Sequence, residues 1–172
     1  MGITKYFKIK EDRSIDNRPI ILGFKSSFTK AEYIDEDDNV IYIKSTGKTI
    51  EYTDYFDTTL LLVNNEFKEV AKTYNKDYIY KTVALQEEGK TSQKVYWNIE
   101  MPDESKCLSP LTTFNHDGTL NKIVINDKEA VNLPMFRLKN KLWNTYIVCL
   151  EMAESLLRRD LVGFELEELE HE

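Results

Sequence analysis

The sequence predicts an α+β protein: a mostly antiparallel, strongly twisted sheet with two short helices packed on it. Three observations carry this expectation. The apolar runs are short and rich in β-branched and aromatic residues, as in Val40-Ile41-Tyr42-Ile43 and Ile123-Val124-Ile125, which suits pleated surfaces. Ten Tyr and eight Phe point the same way. Helical periodicity occurs in two places only. Phe67, Val70, Ala71 and Tyr74 stand at i, i+3, i+4 and i+7, and Ala153, Leu156 and Leu157 share a face further on.

Taken in order, Ile3 to Ile9 reads as a strand and Asp12 to Pro19 as a polar turn. Ile20 to Phe24 reads as a short strand made irregular by Gly23. Asp35 to Asn39 is a charged loop, Val40 to Ile43 a strand, and Thr49 to Tyr52 an extension of the sheet beyond a turn at Gly47. Leu60 to Val63 is a short buried strand or the lead-in to a helix. Asn64 caps that helix, with Glu66 in the first turn where the helix dipole favours an anion. Tyr78 to Leu85 and Gln93 to Ile99 are partner strands around the turn Glu87 to Lys90. Pro102 to Gly118 is a loop. Ile123 to Ile125, Met135 to Leu138 and Tyr146 to Val148 are strands, and Asn132 to Pro134 a turn. Glu151 to Arg159 is the second helix, with two arginines in its last turn. Phe164 to Leu169 alternates apolar residues with glutamates, as a half-buried edge strand does. Leu62, Val63, Glu66 and Glu69 are echoed 85 positions later by Ile147, Val148, Glu151 and Glu154, which suggests a repeated strand–helix–strand unit.

No Pro/Gly/Ser-rich linker divides the 172 residues, so a single domain spanning 1–172 is expected. The net charge of −7 disfavours a nucleic-acid ligand and favours encounter with a basic protein. The start of the chain lacks a continuous apolar core and a small-residue cleavage site, and no apolar run approaches the ~18 residues of a membrane span. Cys107 and Cys149 lack CxxC spacing and read as free buried thiols. A cytoplasmic protein without a membrane partner is therefore expected.

No catalytic, cofactor-binding or metal-ligating set is apparent. Gly47-Lys48-Thr49 and Gly89-Lys90-Thr91 lack the upstream glycine of a phosphate-binding loop and read as hairpin turns. Asp35-Glu36-Asp37-Asp38-Asn39 begins like a calcium loop, but Val40 and Thr46 occupy the positions that require Gly and Glu. A Ser–His–Asp arrangement of Ser109, His116 and Asp117 lacks elbow glycines, and His116 reads as a turn residue. His171 reads as solvent-exposed. Two Cys and two His, scattered, fit no zinc site. Carboxylates are plentiful, which leaves open an enzyme acting on a small molecule. Trp97 reads as core and Trp143 as an exposed interface anchor.

A set of short blocks is more specific. Tyr96-Trp97-Asn98-Ile99, Cys107-Leu108-Ser109, Ile123-Val124-Ile125 and Met135-Phe136-Arg137-Leu138 are followed by Tyr146-Ile147-Val148, Glu151 to Leu157 and Gly163-Phe164-Glu165. Their order resembles the polymorphic-toxin immunity family numbered eleven, formerly a domain of unknown function. The resemblance runs from about Leu60 to Glu167; the preceding segment matches no family pattern. It implies a non-catalytic protein that binds and neutralises a cognate toxin made in the same cell. Asp35, Glu36, Asp37, Asp38, Tyr52, Tyr55, Phe56 and Trp143 are the partner-binding residues expected from charge and aromaticity. A self-assembling accessory protein is the remaining alternative.

Overall fold

The computed structural model describes residues 5–22, 39–57, 60–140 and 143–172. In chain order the strands are β1 (Tyr6–Glu11), β2 (Asn39–Ile43), β3 (Tyr55–Phe56), β4 (Leu62–Val63), β5 (Ile79–Glu87), β6 (Gln93–Glu100), β7 (Thr113–Phe114), β8 (Leu120–Lys122), β9 (Val124–Ile125), β10 (Met135–Lys139), β11 (Asn144–Cys149), β12 (Phe164–Glu168) and β13 (Glu170–His171). The helices are α1 (Asn65–Tyr74), α2 (Asp127–Ala130) and α3 (Leu150–Leu157), with one 3-10 turn at Ser105–Cys107. The fold is α+β and mainly antiparallel. Its residues fall into two compact units, one of Met1–Lys10, Met101–Asp160 and Glu165–Glu172, the other of Glu11–Glu100 and Leu161–Phe164.

The second unit is built on a five-stranded sheet in the order β2-β5-β6-β4-β3. Only the β2–β5 pair is parallel. Strand alternation gives the sheet two chemically different faces. Ile43, Val83, Leu85, Tyr96, Leu62 and Phe56 point to one face and form a buried cluster with Ile50 and Leu60. The Tyr96 hydroxyl donates to the Thr53 carbonyl at 2.7 Å, so this large buried side chain leaves no polar atom unpaired.

On the other face, the row Tyr55–Val63–Trp97–Thr82 lies towards α1. The helix begins where the sequence predicts. Asn64 Oδ1 accepts the Phe67 N–H at 2.8 Å, while Asn64 Nδ2 donates to Asp54 at 2.6 Å. Phe67, Val70 and Ala71 are buried, and the Phe67 ring packs on those of Tyr55 and Phe164, at 5.7 and 6.3 Å between centroids. Gly163 beside Phe164 has φ +99°, and a Cβ there would overlap the Thr53 side chain.

In the first unit the sheet order is β10-β11-β1-β12. Tyr6, Phe136, Ile147, Val148, Met152 and Leu156 are buried, and the Tyr6 hydroxyl donates to the Ala130 carbonyl at 2.6 Å. β12 lies at the sheet edge, as its glutamate alternation predicts. Lys5 and Lys10 pair with Glu168 and Glu165 across it. The strand–helix–strand order echoed in the sequence recurs as β4–α1–β5 and β11–α3–β12.

Several local expectations differ from the structure. Gly89 does sit in the β5–β6 hairpin turn. Gly47 sits in a bend leading from one edge of its sheet towards the other, because β2 and β3 are opposite edge strands, so it is not a hairpin turn. Thr49 to Tyr52 is not a strand; Ile50 instead plugs the core. The helix α2 and the strand β8 carry too few residues for either period to show in the sequence.

Asn64→Ala is expected to lower stability by about 1 kcal/mol in denaturant unfolding, through loss of the cap. Gly163→Ala is expected to cost roughly 1–3 kcal/mol from backbone conformation alone, with the overlap at Thr53 added.

Candidate functional site

The sheet of the second unit presents an unusual outer face. Register places Val40 beside Ala84 and Ala84 beside Val95, which makes one row across three strands. The next row is Tyr42–Gln86–Gln93. Val40, Tyr42 and Val95 are 41%, 52% and 51% exposed. Large apolar residues grouped at this exposure make the face a candidate docking surface, whereas single exposed apolar residues are ordinary. Part of the amide hydrogen bonding in the patch is internal. Gln86 Nε2 donates to the Lys90 carbonyl at 2.8 Å, and Gln93 Nε2 donates to Gln86 Oε1 at 2.9 Å.

The end of this face nearer α1 is covered. Lys68, only 6% exposed, lays its Nζ 3.6 Å from the centre of the Trp97 ring, and Lys72 Nζ lies 5.4 Å from that of Tyr80. The half-buried Trp97 thus borders the bare rows instead of filling a core.

A cleft of about 480 Å³ forms a second feature of the same unit. Ile15, Pro19, Ile20, Ile21 and Phe56 give it apolar walls, and Glu11, Arg13 and Arg18 give it charge. Glu11 is 6% exposed, and its carboxylate takes a 2.7 Å bond from Arg18. Asp57 Oδ2 accepts the Glu11 N–H and the Tyr55 hydroxyl, each at 3.2 Å. Burial, and then the Glu11 charge, push the Asp57 carboxyl above the usual carboxylate range.

The residues expected from the sequence fall in different places. Asp35, Glu36, Asp37 and Asp38 lie outside the described residues. Tyr55 and Phe56 are core: both are buried, with the Phe56 ring 5.1 Å from that of Tyr96. Their aromaticity serves packing: the Tyr55 ring is fully buried, and Phe56 reaches only the wall of the cleft. Tyr52 is half-buried against the same cluster. Trp143, in the other unit, is 56% exposed beside the start of β11.

Among the described residues no group of three or more His, Cys, Asp or Glu is arranged to hold a metal ion. Ser109 is buried and donates to the Glu172 carboxylate, not to His116. Asp117 instead accepts from the Thr119 hydroxyl and N–H, which hold its carboxyl below the usual range. His171 is not merely solvated, since its Nδ1 lies 3.0 Å from Asp127 Oδ2. Burial pushes both thiols, Cys107 and Cys149, up to about 11, so neither is poised as a nucleophile. No described helix is long and apolar enough to cross a membrane.

Sequence reasoning did not find the Val40–Ala84–Val95 row. Its signal is the strict alternation in Val40-Ile41-Tyr42-Ile43, which shows two faces but not which strands lie alongside. No family model matches the chain, and no match is found among curated proteins.

The raised carboxyl of Asp57 makes its pH effect predictable in sign. The folded state favours the protonated form, so the ionised carboxylate lowers stability at neutral pH, and that loss is relieved as pH falls through the folded value. Asp57→Asn keeps an acceptor for both donors. It is expected to raise the melting temperature at pH 7 relative to the native chain, with the gain shrinking as pH falls and vanishing below the ordinary value of 3.8. A pH series of thermal melts on both proteins checks this.

Proposed function

We propose that this chain is an immunity-type protein that holds a cognate toxin domain by surface complementarity, without catalysis. The observation that carries the reading is the exposed apolar face of the five-stranded sheet, with Val40, Tyr42 and Val95 at its centre. Burying such a row against a partner removes apolar surface from water at roughly 25 cal/mol per Å² before the costs of association. The net charge of −7 supports a basic partner, drawn in by long-range attraction. The sequence blocks behind the family resemblance add support. Tyr96 to Ile99 lies on β6, Met135 to Leu138 on β10 and Tyr146 to Val148 on β11, so they are framework strands rather than scattered loops.

The rival reading, an enzyme acting through carboxylates on a small molecule, has the cleft beside Glu11 in its favour. The buried acid on its wall, Glu11, is already held by the Arg18 guanidinium at 2.7 Å.

Co-expression with the product of the neighbouring toxin gene tests the reading. The native chain is expected to protect the cell and to co-purify with the toxin. Val95→Asp is expected to weaken the complex at least tenfold, about 1.4 kcal/mol, while leaving the fold intact by circular dichroism. Absence of both protection and a complex with the native chain would overturn the immunity reading. Unchanged binding by Val95→Asp would remove this face from it.

A further inference from the structure

We propose that the cleft of the second unit binds a free small-molecule monocarboxylate, an apolar body that ends in one carboxylate group. This inference goes beyond the toxin reading and does not depend on it.

The first argument is size and lining. The cleft holds about 480 Å³, within the roughly 300–1,000 Å³ of small-molecule sites. Every lining residue belongs to the described part of this one unit. Ile15, Ile20, Ile21 and Phe56 supply apolar wall. Ile20 is 51% exposed on that wall, and an apolar ligand body takes such surface out of water.

The second argument is unused donors. Arg18 is only half committed: its Nη1 donates to Glu11 at 2.7 Å and its Nε to the Ile15 carbonyl at 3.1 Å. Its Nη2 makes no hydrogen bond among the described residues. Arg13 lines the same cleft and makes no hydrogen bond or ion pair among the described residues, although its charge acts on Asp57 at longer range. The planar fork of a guanidinium matches the two oxygens of a carboxylate.

The third argument is charge count. Two arginines and two acids, Glu11 and Asp16, line the cleft. Arg18 already balances Glu11. One carboxylate balances Arg13, whereas a second negative charge on the ligand meets Asp16 with no cation left over. Asp16 is a single acid against the donors of two arginines, so an ammonium group is the poorer fit.

The loop that carries Arg13 is set in advance. Asp12 Oδ1 accepts the Ser14 N–H and hydroxyl at 2.9 and 2.6 Å. Asn17 holds φ +55°, and its carbonyl accepts the Glu51 N–H at 3.0 Å. A loop ordered before binding lowers the entropic cost of capturing a ligand.

Titration of the isotope-labelled native chain with hydrocinnamate, followed by NMR, reads site and affinity together. Saturable shifts centred on Ile15, Ile20 and Ile21 are expected, with Kd in the millimolar range for a ligand of this size. Hydrocinnamyl alcohol, the corresponding primary amine and the corresponding phosphate monoester are each expected to bind at least about fivefold more weakly. Arg13 is exposed, so Arg13→Ala is expected to keep native circular dichroism. It is expected to weaken the acid by about fivefold or more and to leave the alcohol unchanged. Arg13→Lys, which keeps the charge and loses the fork, is expected to fall between. Absence of saturable binding, or shifts centred outside the cleft, overturns the inference. So does a folded Arg13→Ala chain that binds the acid like the native one, or an alcohol, amine or phosphate that binds as tightly as the acid.

Discussion

A helix about 10 Å across covers about two strands of a sheet, and among its described residues the second unit sets one such helix against five strands. Everything specific about the unit follows from that mismatch. The inner face is buried by Ile50, Leu60 and the cluster around Val83 and Leu85. On the outer face α1 covers the Tyr55–Val63–Trp97 row and, through Lys72, Tyr80 at the start of β5. Further along, β2, the rest of β5 and the start of β6 keep their hydrogen-bonded ladder and alternation but have no helix above them among the described residues. The sheet's own geometry therefore creates the exposed apolar row.

Placement of the helix is itself over-determined. Asn64 caps α1 and ties it to Asp54. Asp54 in turn accepts the Val162 N–H at 2.7 Å, which holds the segment carrying Gly163 and Phe164 under the helix. Gly163 has the positive φ and the missing Cβ that let this segment lie against Thr53. A ring of three aromatic residues, Tyr55, Phe67 and Phe164, fills the space so enclosed. With these contacts in place, α1 cannot slide along the sheet to shelter Val95 without giving up a cap, a carboxylate bond and an aromatic cluster together.

The parts of this that the sequence shows are those set by local periodicity. The α1 face, its Asn64 cap, the β5–β6 hairpin around Gly89 and the glutamate-lined edge strand β12 are all readable from neighbouring residues. What the sequence hides is strand order. Nothing in Val40-Ile41-Tyr42-Ile43 shows that its neighbour is β5, in parallel, rather than the segment that follows it in the chain. Without that pairing Val40, Ala84 and Val95 are three unrelated residues. The same limit explains Tyr55 and Phe56. Two aromatics in a polar stretch resemble surface anchors until the edge strand they form is placed over α1 and the core. Glu11 and Asp57 are 46 residues apart, and only the fold brings a carboxylate to a backbone N–H across that distance.

Lys68 shows how charge is partitioned at the border of the face. An amphipathic helix normally turns its lysines to water, yet this one lies almost fully buried with its ammonium over Trp97 and 3.2 Å from Glu69. The aliphatic stem extends the apolar cover by four methylenes, while the ring and the carboxylate share the charge. Two electrostatic scales result. Beyond a Debye length of about 8 Å an approaching molecule senses little of any single group, and the net charge of −7 governs the encounter. At contact it meets an uncharged surface bounded on one side by a lysine whose charge is already balanced. Attraction and fit are therefore separable in the proposed complex: the acidic remainder of the chain would set how fast a basic partner arrives, and the bare rows of the sheet how long it stays.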